Sequence, residues 1–339
     1  MTEPRASASD RVAGTERISG APASERVGGS ARAKPPGRIS VTEVGPRDGL
    51  KNEAANLPTS AKIAFVNALA AAGAPVVEVS AFVNPERVPR MADAEQVFAG
   101  ITRQPGTRYA ALVPNARGLA RAVAAHVSDV AVFAAASETF SKRNINQTIA
   151  ESLDTYAAVA REATASGLRV RGYLSTAFGC PFEGNVPILR VVALTRRLLD
   201  LGVFEVAVSD TIGVAHPGHV RRVLDALVPA VGAERVALHF HDTRGTALAN
   251  VLAALDFRIA TFDASAGGLG GCPFAPGATG NLATEDLLYM LHGLGLETGI
   301  SLDAVAAASR AIEPHVGHAL PSRYLRATAT TASTARHAD

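Results

Sequence analysis

Val236-Ala237-Leu238-His239-Phe240-His241-Asp242-Thr243-Arg244-Gly245 is the stretch on which the reading of this chain turns. Its apolar start reads as a buried strand, and residues two apart on a strand point to the same face. His239 and His241 therefore converge at the carboxyl end of that strand, where the turn residues Asp242 to Gly245 begin. Two histidines in this pattern describe a metal site, and equally a pair that caps a core strand. The surrounding chain has to decide between these.

From Arg38 onward, short β-branched runs alternate with amphipathic segments. Strands are expected to begin near Ile39, Val76, Tyr109, Asp129, Arg169, Glu205, Val236 and Thr261. Thr59 or Ser60 is placed to cap a helix that Gly73 closes, Asn115 to cap another, and Gly167 and Gly202 stand just past two more. Eight strands, each followed by a helix-sized segment, predict an α/β fold of the (β/α)8 TIM-barrel type. A doubly wound open sheet is the alternative, but no Gly-x-Gly-x-x-Gly opens the first helix. Thr284 to His292 and Ser301 to Ile312 are expected as additional C-terminal helices packed on the barrel.

Composition narrows the class. A chain of 339 residues, 47% of them hydrophobic, is long enough for one such barrel. A net charge of +2 gives no reason to expect nucleic acid or an acidic membrane surface as partner. Cys180 and Cys272 are too few for a disulfide scaffold and suit a reducing cytosol, hence a cytoplasmic protein. No apolar run is long enough for a membrane span. Residues 1–37 are rich in Ala, Ser, Gly, Pro and Arg and read as a disordered tail, with 38–326 as the barrel domain and 327–339 as a flexible tail. Glu3, Asp10, Glu16 and Glu25 argue against a mitochondrial presequence.

Functional residues of a barrel gather just after its strands, on the carboxyl face. The first strand runs into Glu43-Val44-Gly45-Pro46-Arg47-Asp48-Gly49, and the second carries Glu78 inside the apolar run Val76 to Ser80. The sixth ends at Asp210-Thr211, the seventh supplies the two histidines, and after the eighth come six glycines between Gly267 and Gly280, followed by Asn281. One carboxylate, two imidazoles and an amide oxygen make a first shell for a divalent cation, and Mg²⁺ or Mn²⁺ suits it better than structural zinc. Arg47 is either a loop anchor or a fixed cation for a developing enolate oxygen. Glu78 is its partner or a substrate-facing acid or base, and Asp210 is catalytic or a helix cap. The glycine loop has no Lys-Ser/Thr ending, so it reads as a lid carrying Cys272 rather than a phosphate cradle. A free cysteine is otherwise a small buried hydrophobe, which is the reading for Cys180.

Glu43 to Leu50, Gly179-Cys180-Pro181-Phe182-Glu183-Gly184, Asp210-Thr211-Ile212-Gly213, His239 to Thr243 and Gly267 to Asn281 together resemble the hydroxymethylglutaryl-CoA lyase family of metal-dependent acyl-CoA lyases. The likeness runs from about Arg38 to about Gly317, and the cysteine-bearing glycine loop is its most specific part. The resemblance implies cleavage of 3-hydroxy-3-methylglutaryl-CoA to acetyl-CoA and acetoacetate by a homodimer. Asp48, His239, His241 and Asn281 would hold the metal against the tertiary hydroxyl and the carboxylate of the acyl-CoA, and Arg47 would stabilise the thioester enolate. Cys272 would take part in proton transfer, Glu43, Glu78 and Asp210 would stand at active-site positions, and Ser80 would join Arg47 and Glu78 against the substrate. Lys51, Ala81, Arg90 and Arg244 depart from the family's usual residues without removing a metal ligand, which leaves the acyl group open to citramalyl-CoA or longer 3-hydroxyglutaryl-CoAs. A condensing acyltransferase of the isopropylmalate or homocitrate synthase type is the rival, but little chain is left for the regulatory region such enzymes carry.

Overall fold

The strand that carries the two histidines is the seventh of eight, and the eighth returns to the first. In the computed structural model, which describes residues 36–271 and 280–334, the strands are β1 (Ser40–Glu43), β2 (Val76–Ala81), β3 (Arg108–Leu112), β4 (Asp129–Ala135), β5 (Arg169–Ser175), β6 (Val206–Asp210), β7 (Val236–Phe240) and β8 (Thr261–Ala264). All pair in parallel with their sequence neighbours, and β1 closes the ring on β8 from Ser40 opposite Thr261 to Glu43 opposite Ala264. The expected strand starts fall within one residue of the observed ones. Short buried β-branched runs can be covered on their outer face only by the helices between them, so alternation in the sequence becomes a barrel inside a helical ring.

That ring is made of α1 (Thr59–Ala71), α2 (Ala94–Gly100), α3 (Ala116–Ala124), α4 (Glu138–Ile145), α5 (Ile149–Ala165), α6 (Ile188–Asp200), α7 (Pro217–Val231) and α8 (Ala247–Leu255). Beyond β8 follow α9 (Thr284–Gly293) and α10 (Leu302–Val316), as expected, and then α11 (Arg323–Thr334). Among the described residues no helix is long and apolar enough to cross a membrane. Asn115 caps α3 as expected, its side chain accepting from the Gly118 N–H at 3.0 Å. Thr59 does not cap α1: Pro58 occupies that place, and the Thr59 hydroxyl donates to Asp93 at 2.7 Å.

Residues 327–334 do not form the expected flexible tail but continue α11. A tertiary contact starts that helix. The Asp286 carboxylate of α9 accepts from the Ser322 hydroxyl and from the backbone N–H groups of Arg323 and Tyr324, at 2.8, 3.0 and 2.8 Å. The N–H groups that a helix start leaves free are thus satisfied from another element, which no local pattern announces. Residues 1–35, most of the expected N-terminal tail, and 335–339 lie outside the described residues.

The barrel interior is unusually polar. On β5, Arg171 pairs with Asp263 of β8 through Nη2 at 2.7 Å and Nη1 at 3.1 Å, and its Nε reaches Glu205 at 2.7 Å. All three side chains are buried, so each charge depends on the others. This network lies below the site and reaches it through Tyr173, whose hydroxyl accepts from Arg171 at 2.9 Å and donates to Glu78 at 3.1 Å.

Gly73, which closes α1 as expected, has φ +96°, and a Cβ there would lie 2.4 Å from the Gly299 carbonyl oxygen. Gly73→Ala should cost about 1–3 kcal/mol of stability, read from urea unfolding. Turnover should stay unchanged, because the loop lies at the amino ends of the strands.

Candidate active site

The site is built outward from the end of β1. The Val44 carbonyl accepts from three backbone N–H groups, those of Arg47 at 3.2 Å, Asp48 at 2.7 Å and Gly49 at 3.2 Å. This coils Gly45–Gly49 into a single wide π-turn, a form enriched at functional sites. Glu43 fastens the turn: Oε1 accepts from the N–H groups of Gly45 at 2.8 Å and Ala266 at 2.9 Å, and Oε2 from the Thr284 hydroxyl at 2.7 Å. Burial pushes the Glu43 carboxyl up to about 7 against the pull of these donors. Glu43 therefore touches neither Arg47 nor the metal-ligand candidates through its carboxylate. It acts through the backbone, tying β1 to the segment after β8.

The turn throws Arg47 and Asp48 over the barrel mouth. Arg47 is buried, with Nε and Nη2 on Glu78 Oε2 at 2.7 and 2.6 Å, Nη1 on Asp48 Oδ1 at 2.5 Å, and its guanidinium 5.3 Å from the Tyr173 ring centre. Burial alone would raise the Asp48 carboxyl, but the neighbouring Arg47, the two histidines and Lys51 outweigh it and hold Asp48 well below the usual carboxylate range. Glu78 Oε1 is buried and has no partner among the described residues.

The two imidazoles meet as the strand period required. His239 Nε2 and His241 Nε2 are 3.2 Å apart, and His239 Nε2 lies 3.9 Å from Asp48 Oδ2. Asp263 Oδ2 holds His239 Nδ1 at 3.2 Å, which assigns the proton to Nδ1 and turns the Nε2 lone pair to the cluster. Burial, reinforced by His239, pushes His241 down to about 3, so its ring is neutral, the form that ligates metals. Asn281 is bridged to His241 through the backbone and donates to Asp48 Oδ2 at 3.2 Å, while its buried Oδ1 has no partner among the described residues. Asp48, His239 and His241 each offer a ligand atom within 4.8 Å of the others. An anionic oxygen, two neutral imidazoles and an orphaned amide oxygen fit a divalent cation, and packing alone gives no reason to bring two Nε2 atoms together.

Arg47, Asp48, His239 and His241 line a cleft of about 750 Å³ at the carboxyl ends of the strands, together with Lys51, Tyr173, Asn144 and Gln147. Not every expected residue reaches it. Asp210 is fully buried and accepts from the N–H groups of Val214 at 2.9 Å and Ala215 at 3.0 Å, so it fixes the loop after β6 rather than facing the cleft. Its carboxyl is pushed up to about 6 by burial. Ser80 is also misassigned as a substrate contact, since its hydroxyl donates to Met91 Sδ at 3.4 Å and Ala81 lines the cleft instead. A register shift between Glu78 and Ser80 breaks the simple alternation of β2. Cys272 and the rest of 272–279 lie outside the described residues. Cys180 is buried beside Ser137, with Sγ 3.0 Å from the hydroxyl, as a packing residue would be.

Tyr173, Arg171 and Asp263 were missed by the sequence reading. The signal existed: like Glu78, each places a polar group inside a buried strand, where it must be paired or working.

A parallel eight-stranded barrel with one carboxylate and two imidazoles over its carboxyl face is the architecture of an enzyme with a candidate divalent-metal site, and the relatives of this chain supply the reaction class. The HMGL-like family model matches residues 38–312, and the chain belongs to that family. It is 47% identical over 291 residues to the hydroxymethylglutaryl-CoA lyase YngG of Bacillus subtilis, covering 86% of this chain and 97% of that one. It is 48% identical over 292 residues, 86% of this chain and 97% of the other, to the 3-hydroxy-3-isohexenylglutaryl-CoA/hydroxymethylglutaryl-CoA lyase of Pseudomonas aeruginosa. The crystal structure of an HMG-CoA lyase from Acinetobacter baumannii in complex with coenzyme A and 3-methylmalate superposes with a TM-score of 0.82 at 40% identity, covering 86% of this chain and 95% of that one.

If the cluster is the metal site, His239→Ala or His241→Ala should abolish Mn²⁺ binding in calorimetric titration while the circular dichroism spectrum is kept. Asp263→Asn, which removes only the outer partner of His239, should weaken Mn²⁺ by about 10–100-fold. Wild-type affinity in all three variants would place the metal elsewhere.

Proposed function

We propose that the cleft cleaves 3-hydroxy-3-methylglutaryl-CoA to acetyl-CoA and acetoacetate, with Asp48, His239, His241 and Asn281 holding Mg²⁺ or Mn²⁺. The observation that carries this reading is the Arg47 guanidinium fixed beside that cluster by Glu78 and Asp48. When bound, the cation would polarise the tertiary hydroxyl and make it more acidic.

The chain's own residues supply the rest. The bond between C2 and C3 breaks as the hydroxyl proton passes to solvent in the open cleft; C3 becomes the ketone of acetoacetate, and the electron pair passes into the thioester as an enolate. Arg47 is a permanent cation, with proton loss made harder still by Glu78 and Asp48 despite its burial, so it can meet that enolate oxygen without itself giving up a proton. Its donors are already fixed in place, so little reorganisation opposes the charge as it develops. Glu78 orients Arg47 through the ion pair at its Oε2. Return of a proton to C2 is assigned to Cys272 on the family resemblance. The same resemblance supports a cytoplasmic homodimer, which sedimentation would test.

Acetyl-CoA and acetoacetate should form in equal amounts from hydroxymethylglutaryl-CoA with Mg²⁺ or Mn²⁺ and disappear with EDTA; metal-independent turnover would sink the mechanism. Arg47→Gln should lower kcat by about 10²–10³ with a smaller change in KM. It should also lower Tm, since Glu78 loses its buried cation, so kcat must be read per folded enzyme.

A further inference from the structure

The amide of Asn281 serves a cation only when its oxygen is the free atom, and the structure shows what turns it that way. Nδ2 donates to Asp48 Oδ2 at 3.2 Å and to the Leu269 carbonyl at 3.1 Å, which leaves the buried Oδ1 without a partner among the described residues. The Leu269 carbonyl and the Gly270 N–H belong to one planar peptide unit, so they point in opposite directions and move together. On the carbonyl side stand Asn281 and the Ser265 hydroxyl, which donates at 2.9 Å. On the other side the Gly270 N–H donates to Glu53 Oε1 at 3.0 Å. Gly270 is packed close to the ligands: its φ is +105°, and a Cβ there would lie 2.8 Å from Asn281 Nδ2 and 3.2 Å from Gly49 Cα. Glu53 is buried just beyond the π-turn, and His318 Nε2 holds its Oε2 at 2.7 Å from the connection between α10 and α11. That connection is itself seated on the segment after β8, with the Ser322 N–H on the Gly267 carbonyl at 3.1 Å.

Both ring nitrogens of His318 face acceptors, Nε2 the Glu53 carboxylate and Nδ1 the Ala319 carbonyl at 3.0 Å. With Glu53 ionised, the ring satisfies both only when it carries two protons and a positive charge. The bond to Glu53 first, and the Ala319 carbonyl second, raise the His318 pKa above its ordinary value against partial burial, and the charges of Glu53 and of Glu313 on α10 add to them. A neutral ring has one N–H for two acceptors, so it would turn a lone pair on Glu53 or release the Ala319 carbonyl. We propose that Glu53, held by His318 of the C-terminal segment, is a positioning residue for Asn281, acting through the Leu269–Gly270 peptide to keep the amide oxygen toward the cation. An element outside the barrel is thereby coupled to the metal cluster. This rests on the reading of Asn281 as a ligand given above.

Mn²⁺ affinity, read by calorimetric titration well below Tm, tests the coupling. Glu53→Ala should weaken Mn²⁺ by about 10-fold, the lower end of what loss of an outer partner costs, because Glu53 acts one bond further out. Glu53→Gln should stay within about threefold of wild type, since its amide oxygen can accept from Gly270 while its NH₂ donates to a neutral His318. The double variant Glu53→Ala/Asn281→Ala should bind no more weakly than Asn281→Ala alone, because the effect passes through that amide. A second readout is the His318 pKa, followed by NMR with and without Mg²⁺. A proton that favours the metal must be favoured by it, so Mg²⁺ should raise this pKa; direct repulsion between two cations would lower it. Wild-type affinity in Glu53→Ala overturns the proposal. So does a Glu53→Gln as weak as Glu53→Ala, which makes charge rather than position the cause. Additive losses in the double variant, or a His318 pKa that Mg²⁺ lowers or leaves in place, overturn it too. If Asn281→Ala binds Mn²⁺ as wild type does, the ligand reading fails and takes the coupling with it; a weakened Asn281→Ala beside an unaffected Glu53→Ala refutes the coupling alone.

Discussion

The Arg47–Glu78 ion pair is the constraint on which the upper half of this molecule depends. Glu78 stands inside a buried strand, where an unpaired carboxylate would be expensive, and Arg47 reaches it only because the π-turn after β1 points the guanidinium inward. Once there, the same guanidinium holds Asp48 ionised and oriented. One interaction thus makes a buried acid tolerable, fixes a metal-ligand candidate and leaves a cation where negative charge would develop. The cost of desolvating these groups is met by mutual pairing, so removing any one member exposes the others.

A second tier supports the first from inside the barrel. Arg171 grips Asp263, Asp263 sets the proton on His239, and Tyr173 links Arg171 to Glu78. The barrel interior serves as a polar scaffold rather than the layered aliphatic core common in this fold. Its rigidity comes from saturation: Arg171 spends its donors on two carboxylates and a phenol, and two of these partners, Asp263 and Tyr173, have a further contact in the site. A metal ligand set supported in this way is held by side chains that have few alternative rotamers.

The relation between this chain and its relatives lies in a few positions. Ligand candidates and their outer partners are arranged as a divalent cation would require, whereas Lys51 and Ala81, both lining the cleft, are the departures that a substrate would meet.

The sequence by itself determined the barrel, because buried strands and amphipathic helices have different periods and their alternation admits few closed arrangements. It also determined Asp48, His239, His241 and Asn281 as a group, since strand spacing and the carboxyl-face rule act locally. Tertiary structure decided where the remaining carboxylates point. Glu43 and Asp210 turned to backbone N–H groups, and Ser80 turned away through a register shift, outcomes that depend on donors from distant loops. It alone revealed Asp263 and Arg171, which are 92 residues apart in sequence. It alone made residues 327–334 helical, because the N–H groups at the start of α11 are satisfied by Asp286 from another helix. Periodicity records which face of an element is buried; it does not record which distant polar group waits on that face.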